Sequence, residues 1–239
     1  MKGQNHLRET EKMFIDLHLH ESAYSPDSQM TLDELVQAAR EKGLGAVCIT
    51  DHDSMGLKEF AAEYSEKTGF PIFVGIEFYS LQGDIVAFGI EDYPKERIPA
   101  QEFVDLVQAQ GGMCFSAHPF RNNNRGLEEN LKIVKGLDGI EVLNGSTLYE
   151  ANRKAAEYAA ELGLATVGSS DCHVPEKLGL YATYFPREIR SVQELIRSVK
   201  RCETLPVYYK EGGYYLWDMK NPIDAPFHIY EQEQMVCAG

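Results

Sequence analysis

A chain of 239 residues with 44% hydrophobic and 25% charged side chains has material for one large domain or two small ones. Its formal net charge of −14 opposes a protein that holds a long stretch of nucleic acid by its phosphates. A local basic pocket for one small phosphorylated ligand stays compatible with that charge. No apolar run approaches the roughly 20 residues that span a membrane, so no membrane partner is expected.

The segment 1–12 is polar and charged with no apolar stretch after it, which predicts a tail without a secretory signal. Five cysteines (Cys48, Cys114, Cys172, Cys202, Cys237) show no framework spacing, and predict reduced thiols in a cytoplasm. Met13 to Leu17 reads as the first strand. Thr31 and Glu34 form a capping box that opens a helix carrying Leu35, Val36 and Ala39 on one face, stopped by Gly43. Ala46 to Thr50 is a strand, Gly56 to Thr68 a helix, and Pro71 to Ile76 and Asp84 to Ile90 are strands joined through a turn at Leu81 to Gly83. A helix near Ala100 to Gln110, a strand at Met113 to Ala117, a helix near Leu127 to Lys135 and a strand at Gly139 to Leu143 follow. The alanine-rich helix Leu148 to Leu162 precedes strands at Ala165 to Ser169 and Gly179 to Phe185, and a helix near Val192 to Val199. After Leu205, crowded tyrosines, Trp217 and Gly212-Gly213 predict a strand or hairpin packed on what precedes it, with a loose tail. The organisation expected is a tail at 1–12, one domain at 13–205 and an extension at 206–239.

About seven strand–helix units with nearly continuous apolar strands predict a parallel sheet under helices, closed or nearly closed, with an open doubly wound sheet as rival. The polar residues then fall in a pattern. Asp16-Leu-His18-Leu-His20, Thr50-Asp51-His52-Asp53, Gly75-Ile-Glu77, Ser116-Ala-His118-Pro-Phe-Arg121 and Ser170-Asp171-Cys-His173 each end a predicted strand. In parallel α/β folds those ends converge on one face. His18 and His20 are two apart on an extended segment and project to one side, as do Asp171 and His173. Imidazoles with carboxylates suit zinc, iron or manganese, and a carboxylate such as Glu77 can bridge two ions. Taken singly, each cluster has a plain structural explanation, a cap for Asp53 or a turn for His118-Pro. Five of them at strand ends are much harder to explain that way.

In this order the motifs H-x-H, T-D-H-D, the strand-end Glu, S-x-H-P and S-D-x-H resemble the PHP family, named for polymerase and histidinol phosphatase, over about Phe14 to Phe185. The resemblance implies a distorted (β/α)7 barrel with two or three divalent ions (Zn, Mn or Fe) at the C-terminal ends of its strands. It implies one ion on His18, His20, Glu77 and Asp171, a second shared by Glu77 and His118, and a third among Asp27, His52 and His173. Asp84 stands where many relatives have a histidine, and is expected to ligate the second ion in its place.

The function expected is hydrolysis of a small phosphorylated substrate, a phosphomonoester or nucleotide, by a metal-activated hydroxide. Glu77 and His118 serve at the reacting centre, and Arg121 holds a phosphate oxygen by a forked hydrogen bond. Arg125 is a weaker candidate for the same work, in a segment whose asparagines suit a mobile loop. Asp16, Asp51 and Asp53 are expected to orient ligand imidazoles. Rival readings are an exonuclease or oligonucleotide hydrolase, an amidohydrolase acting on C–N bonds, and a non-catalytic metal-binding module. Oligomeric state is left open, and no long nucleic acid is expected as a partner.

Overall fold

The computed structural model describes residues 12–218; the predicted tail before Lys12, His228 and the chain after Asp218 lie outside those residues. Strand β1 (Met13–Leu19) opens the fold and pairs in parallel with β2 (Ala46–Ile49), which pairs in parallel with β3 (Ile72–Val74). On its other side β1 pairs antiparallel with β9 (Tyr181–Phe185), followed by β10 (Leu205–Lys210) and β11 (Gly213–Leu216). The hairpin foreseen after Leu205 is therefore the edge of this six-stranded sheet. The second sheet runs β4 (Ile76–Tyr79), β5 (Asp84–Phe88), β6 (Met113–Ser116), β7 (Gly139–Asn144) and β8 (Ala165–Ser169).

The sheets do not form the single closed ladder of a regular (β/α)7 barrel. Both β4–β5 and β5–β6 are antiparallel, and the four-residue link 80–83 between β4 and β5 is too short for a helical crossover. The predicted strand Pro71–Ile76 breaks at Gly75, leaving β3 in one sheet and β4 in the other. A Cβ at Gly75 would lie 2.5 Å from the Ala87 carbonyl oxygen, so only glycine lets β5 come this close. The seams are stitched by a few bonds. Glu77 N donates to Asp51 O at 3.2 Å across one, and Asp171 N to His18 O at 2.9 Å across the other.

Among the described residues five α-helices cover the sheets: α1 (Leu32–Glu41), α2 (Lys58–Thr68), α3 (Ala100–Ala109), α4 (Tyr149–Leu162) and α5 (Val192–Lys200). The capping box at Thr31 and Glu34 is present at the start of α1, and Gly69 and Gly163 end α2 and α4 in the left-handed conformation. Asp53 does not cap α2, whose first turn starts beyond Leu57 without a side-chain cap. The helix predicted over Leu127–Lys135 shrinks to a 3-10 turn at Glu128–Lys132, because Glu128 itself has φ 49° and breaks the helical path. Met13, Ile15 and Leu17 of β1 join Val86, Phe88, Phe115 and Val167 in a core shared by both sheets. The register of β1 on β2 then shifts between Asp16 and Leu19. Beyond the shift Leu19 packs with Leu35 and Ile49 under the helices, and His18 and His20 are buried among carboxylates.

Candidate metal centre

Both seams end in the same pocket, and its centre is Glu77. This buried carboxylate from β4 has Oε1 2.9 Å from His118 Nε2 and 3.4 Å from His18 Nε2. Its Oε2 lies 2.7 Å from His52 Nδ1 and 3.5 Å from His20 Nε2. Asp171 faces it, with Oδ1 3.3 Å from His20 Nε2 and 3.6 Å from His18 Nε2. Toward solvent, Asp27 Oδ2 stands 3.2 Å from both His52 Nε2 and His173 Nε2. The side chains of Asp27, His52 and His173 are 55%, 25% and 29% exposed, so the pocket opens on their side, with His18, Glu77 and His118 as its floor.

Backbone strain is concentrated here. Asp53, His118 and Asp171 have φ of 50°, 27° and 48°, conformations that cost a non-glycine residue roughly 1–3 kcal/mol each. Each is held by a bond to another part of the site: Asp53 N to Glu77 O at 3.0 Å, His118 N to a Glu141 carboxylate oxygen at 2.7 Å, and Asp171 N to His18 O.

The residues fit a divalent metal. His18 Nε2, His20 Nε2, His52 Nδ1 and Glu77 Oε2 are buried without a hydrogen-bond partner among the described residues. Groups left this way are costly unless something else satisfies them. They fall into sets whose ligand atoms lie within 4.8 Å of one another: His18, His20 and Asp171; His18, Glu77 and His118; and His20, His52 and His173. A mixed imidazole–carboxylate set without a thiolate suits zinc, manganese or iron.

Electrostatics point the same way. Burial pushes the pKa of Glu77 and Asp171 up, but His18 and its neighbours, and Arg121 beside Asp171, hold both carboxyls well below their ordinary range. Burial lowers His52, yet Glu77 and Asp27 outweigh it and lift the imidazole to about 9. His18 is likewise raised by Asp171 and Glu77 against its burial. For His20 burial wins, and it drops to about 4. Without an ion His18 and His52 therefore carry protons near neutral pH that an ion must displace. Metal loading is expected to release protons, and affinity to climb with rising pH, by about tenfold per displaced proton per pH unit, the His52 contribution levelling off above about 9. Calorimetric titration with Mn(II) in buffers of different ionisation enthalpy reads that number directly; a heat independent of the buffer would contradict it.

Around this set, Asp51 accepts from Glu21 N at 2.8 Å and from Ser25 Oγ at 2.9 Å, and Ser25 Oγ in turn lies 3.3 Å from His20 Nδ1. Asp51 thus steadies an imidazole through Ser25. Asp16 accepts from Ser170 N and Gly179 N, both at 3.0 Å, and Asp53 accepts from Tyr79 N at 2.8 Å. These two brace backbone near Asp171 and Glu77 rather than a histidine ring. Arg121 donates to Asn144 Oδ1 at 2.7 Å and Thr147 Oγ1 at 3.2 Å, and is paired with Asp171. Asp84 reaches the edge of the pocket, 3.7 Å from His118 Nε2, but both its oxygens are engaged by Arg125.

Sequence reasoning missed Glu141. It is fully buried on β7, with Oε1 3.3 Å from His18 Nδ1, and its other oxygen accepts from His118 N and, at 2.9 Å, from Asn144 Nδ2. Its one signal is a lone carboxylate inside the apolar run Gly-Ile-Glu141-Val-Leu. Arg97 was missed as well. Its guanidinium lies 3.6 Å, and that of Arg125 4.4 Å, from the centre of the Tyr79 ring, two residues beyond Glu77 on β4.

A family model described as PHP-associated matches residues 149–204. A probable histidinol-phosphatase of Clostridium acetobutylicum is 27% identical over 138 residues, 58% of this chain and 43% of that protein. Among solved structures, a two-domain protein of Bacteroides vulgatus with a PHP-like metal-dependent phosphoesterase superposes with a TM-score of 0.67 at 19% identity, over 87% of this chain and 70% of that one. Endonuclease Q, in complex with a 27-mer duplex with an abasic lesion at its active site, superposes with a TM-score of 0.64 at 18% identity, over 80% of this chain and 57% of its own. The fold is shared with these proteins, and the pocket gathers residues that suit a divalent metal. The chain is similar to PHP-like metal-dependent phosphoesterases, with which it shares its fold.

The endonuclease likeness corrects one expectation, that no long nucleic acid is a partner: this fold accommodates duplex DNA. Net charge misled because it is a sum over the whole chain and says nothing of how charge is distributed locally. Arg97 and Arg125, for example, lie together over the Tyr79 ring in a chain of net charge −14. No helix among the described residues is long and apolar enough to cross a membrane.

Proposed function

We propose that the chain hydrolyses a phosphate ester of a small molecule or nucleotide in this pocket. The observation that carries the reading is the meeting of His18, His20, His52 and His118 on the single carboxylate of Glu77. His18, His20, Glu77 and Asp171 would hold one ion, and Asp27, His52 and His173, with His20 alongside, another. Bound there, divalent ions supply positive charge for phosphoryl oxygens and make water a nucleophile at neutral pH.

The chain's own residues do the rest. Glu77 and Asp171 keep their charge at any physiological pH, so the ligand set is ready without further proton loss from its acids. Glu141 holds His18 by Nδ1 and turns Nε2 into the pocket. Arg121 is fixed by Asn144 and Thr147 at the side of Asp171, and presents a guanidinium to a phosphate oxygen entering beside it. The open side at Asp27, His52 and His173 admits the ester.

A second reading, cleavage of a nucleic-acid phosphodiester, is favoured by the likeness to the DNA-bound endonuclease. One panel separates the two: an aryl phosphate, mononucleotides, and labelled single-stranded and duplex oligonucleotides, each with added Mn(II) and with a chelator. Turnover of the monoesters that the chelator abolishes is expected. Oligonucleotide cleavage with inert monoesters would move the assignment to the second reading. Inert substrates throughout, with metal bound, would refute both.

A further inference from the structure

The corner of the pocket at Asp84 does not fit a metal ion. Asp84 starts β5 with a fully buried carboxylate, and Arg125 grips it with Nε 2.6 Å from Oδ2 and Nη2 2.9 Å from Oδ1. That is the forked, charge-assisted pairing that satisfies a buried carboxylate without an ion. None of the residue sets able to hold an ion contains Asp84 among the described residues. Of the three carboxylates near His118 Nε2, Glu77 stands at 2.9 Å, Asp84 at 3.7 Å and Asp171 at 3.9 Å.

The grip is built into the backbone and is not the chance pose of a loose loop. Asp84 N donates to Arg125 O at 2.7 Å. A Cβ on Gly83 would lie 2.6–2.8 Å from backbone atoms of residues 125–127, and one on Gly126 would lie 2.1 Å from Pro119 O. Two glycines thus let the 121–126 segment lie directly against the start of β5. The Tyr79 ring then packs under the guanidinium. An ion at Asp84 would have to break both bonds and sit within a few Å of the displaced guanidinium, where like charges repel strongly in a partly buried site.

We propose that Arg125 is the resident cation of this corner, so that the pocket takes two metal ions and Asp84 ligates neither. This rests on the metal-centre reading but not on any particular substrate. Arg125 is then a fixed positive charge at the pocket wall, which chelation does not remove.

The test counts metal and needs no turnover. Full-length protein is saturated with Mn(II) or Zn(II), freed of excess by gel filtration, and measured by inductively coupled plasma mass spectrometry. Two ions per chain are expected for the wild type and for Asp84→Asn. Arg125→Ala, which releases Asp84, is expected to gain an ion; Arg125→Met serves if the alanine variant does not fold. Three ions in the wild type, or loss of one in Asp84→Asn, would overturn the proposal, as would an unchanged count in a folded Arg125 variant. A wild type that binds no metal at all would instead refute the metal-centre reading beneath it.

Discussion

Replacing Glu77 by glutamine is expected to empty the pocket of metal and to lower turnover by roughly a thousandfold or more. The substitution preserves shape and removes only charge. Both oxygens of Glu77 face imidazole nitrogens, so the amide nitrogen of glutamine would point at another ligand atom in either orientation. The same change should be visible without any ion. His52 is lifted to about 9 mainly by Glu77, working against burial, and with that charge gone its imidazole should titrate well below that value. Proton NMR of the histidine rings in chelator follows this directly. A variant that binds the wild-type amount of metal and leaves His52 high would remove Glu77 from the centre of the site.

The second large effect is expected at Glu141. Its carboxylate accepts from the His18 ring, the His118 backbone and the Asn144 amide, with no exposure to water. Alanine leaves the His18 ring nitrogen and the His118 N–H buried and unpaired, leaves Asn144 only its 3.2 Å bond to Asp171, and removes the bond that holds His118 at its strained φ of 27°. A loss of about 3–5 kcal/mol in stability is expected, on the scale of breaking one side of a buried charged network. Metal affinity should fall by about 10–100-fold, as for other groups that orient a ligand histidine. Glutamine should fall between, since it keeps one accepting oxygen. Urea unfolding in chelator measures the first effect, and competition with a chromogenic chelator the second. Wild-type affinity in a folded Glu141→Ala protein would show that the carboxylate braces the fold alone.

Several features were legible in the sequence for local reasons. A capping box acts within four residues, and Thr31 with Glu34 starts α1 as expected. The convergence of His18, His20, His52, His118 and His173 followed from their placement at strand ends. Asp27, on a loop between β1 and α1, was drawn in by family resemblance alone, and it stands beside His52 and His173. Glu141 escaped notice because its partner His18 is 123 positions away, and nothing beside it in the chain marks it as paired. The break between the sheets was hidden inside Pro71–Ile76, where one glycine divides what reads as a continuous strand.

By itself the sequence determined the chemical character of the pocket, because imidazoles and carboxylates at strand ends carry their ligand chemistry wherever the strands meet. It also determined the alternation of apolar strands and amphipathic helices, since periodicity is a local property. Only the tertiary structure decided how the sheets divide, which carboxylate is shared by four histidines, and that Asp84 answers to Arg125 across 41 positions. The charge a buried group feels depends on neighbours that are close in space and remote in sequence, and those neighbours exist only once the chain has folded.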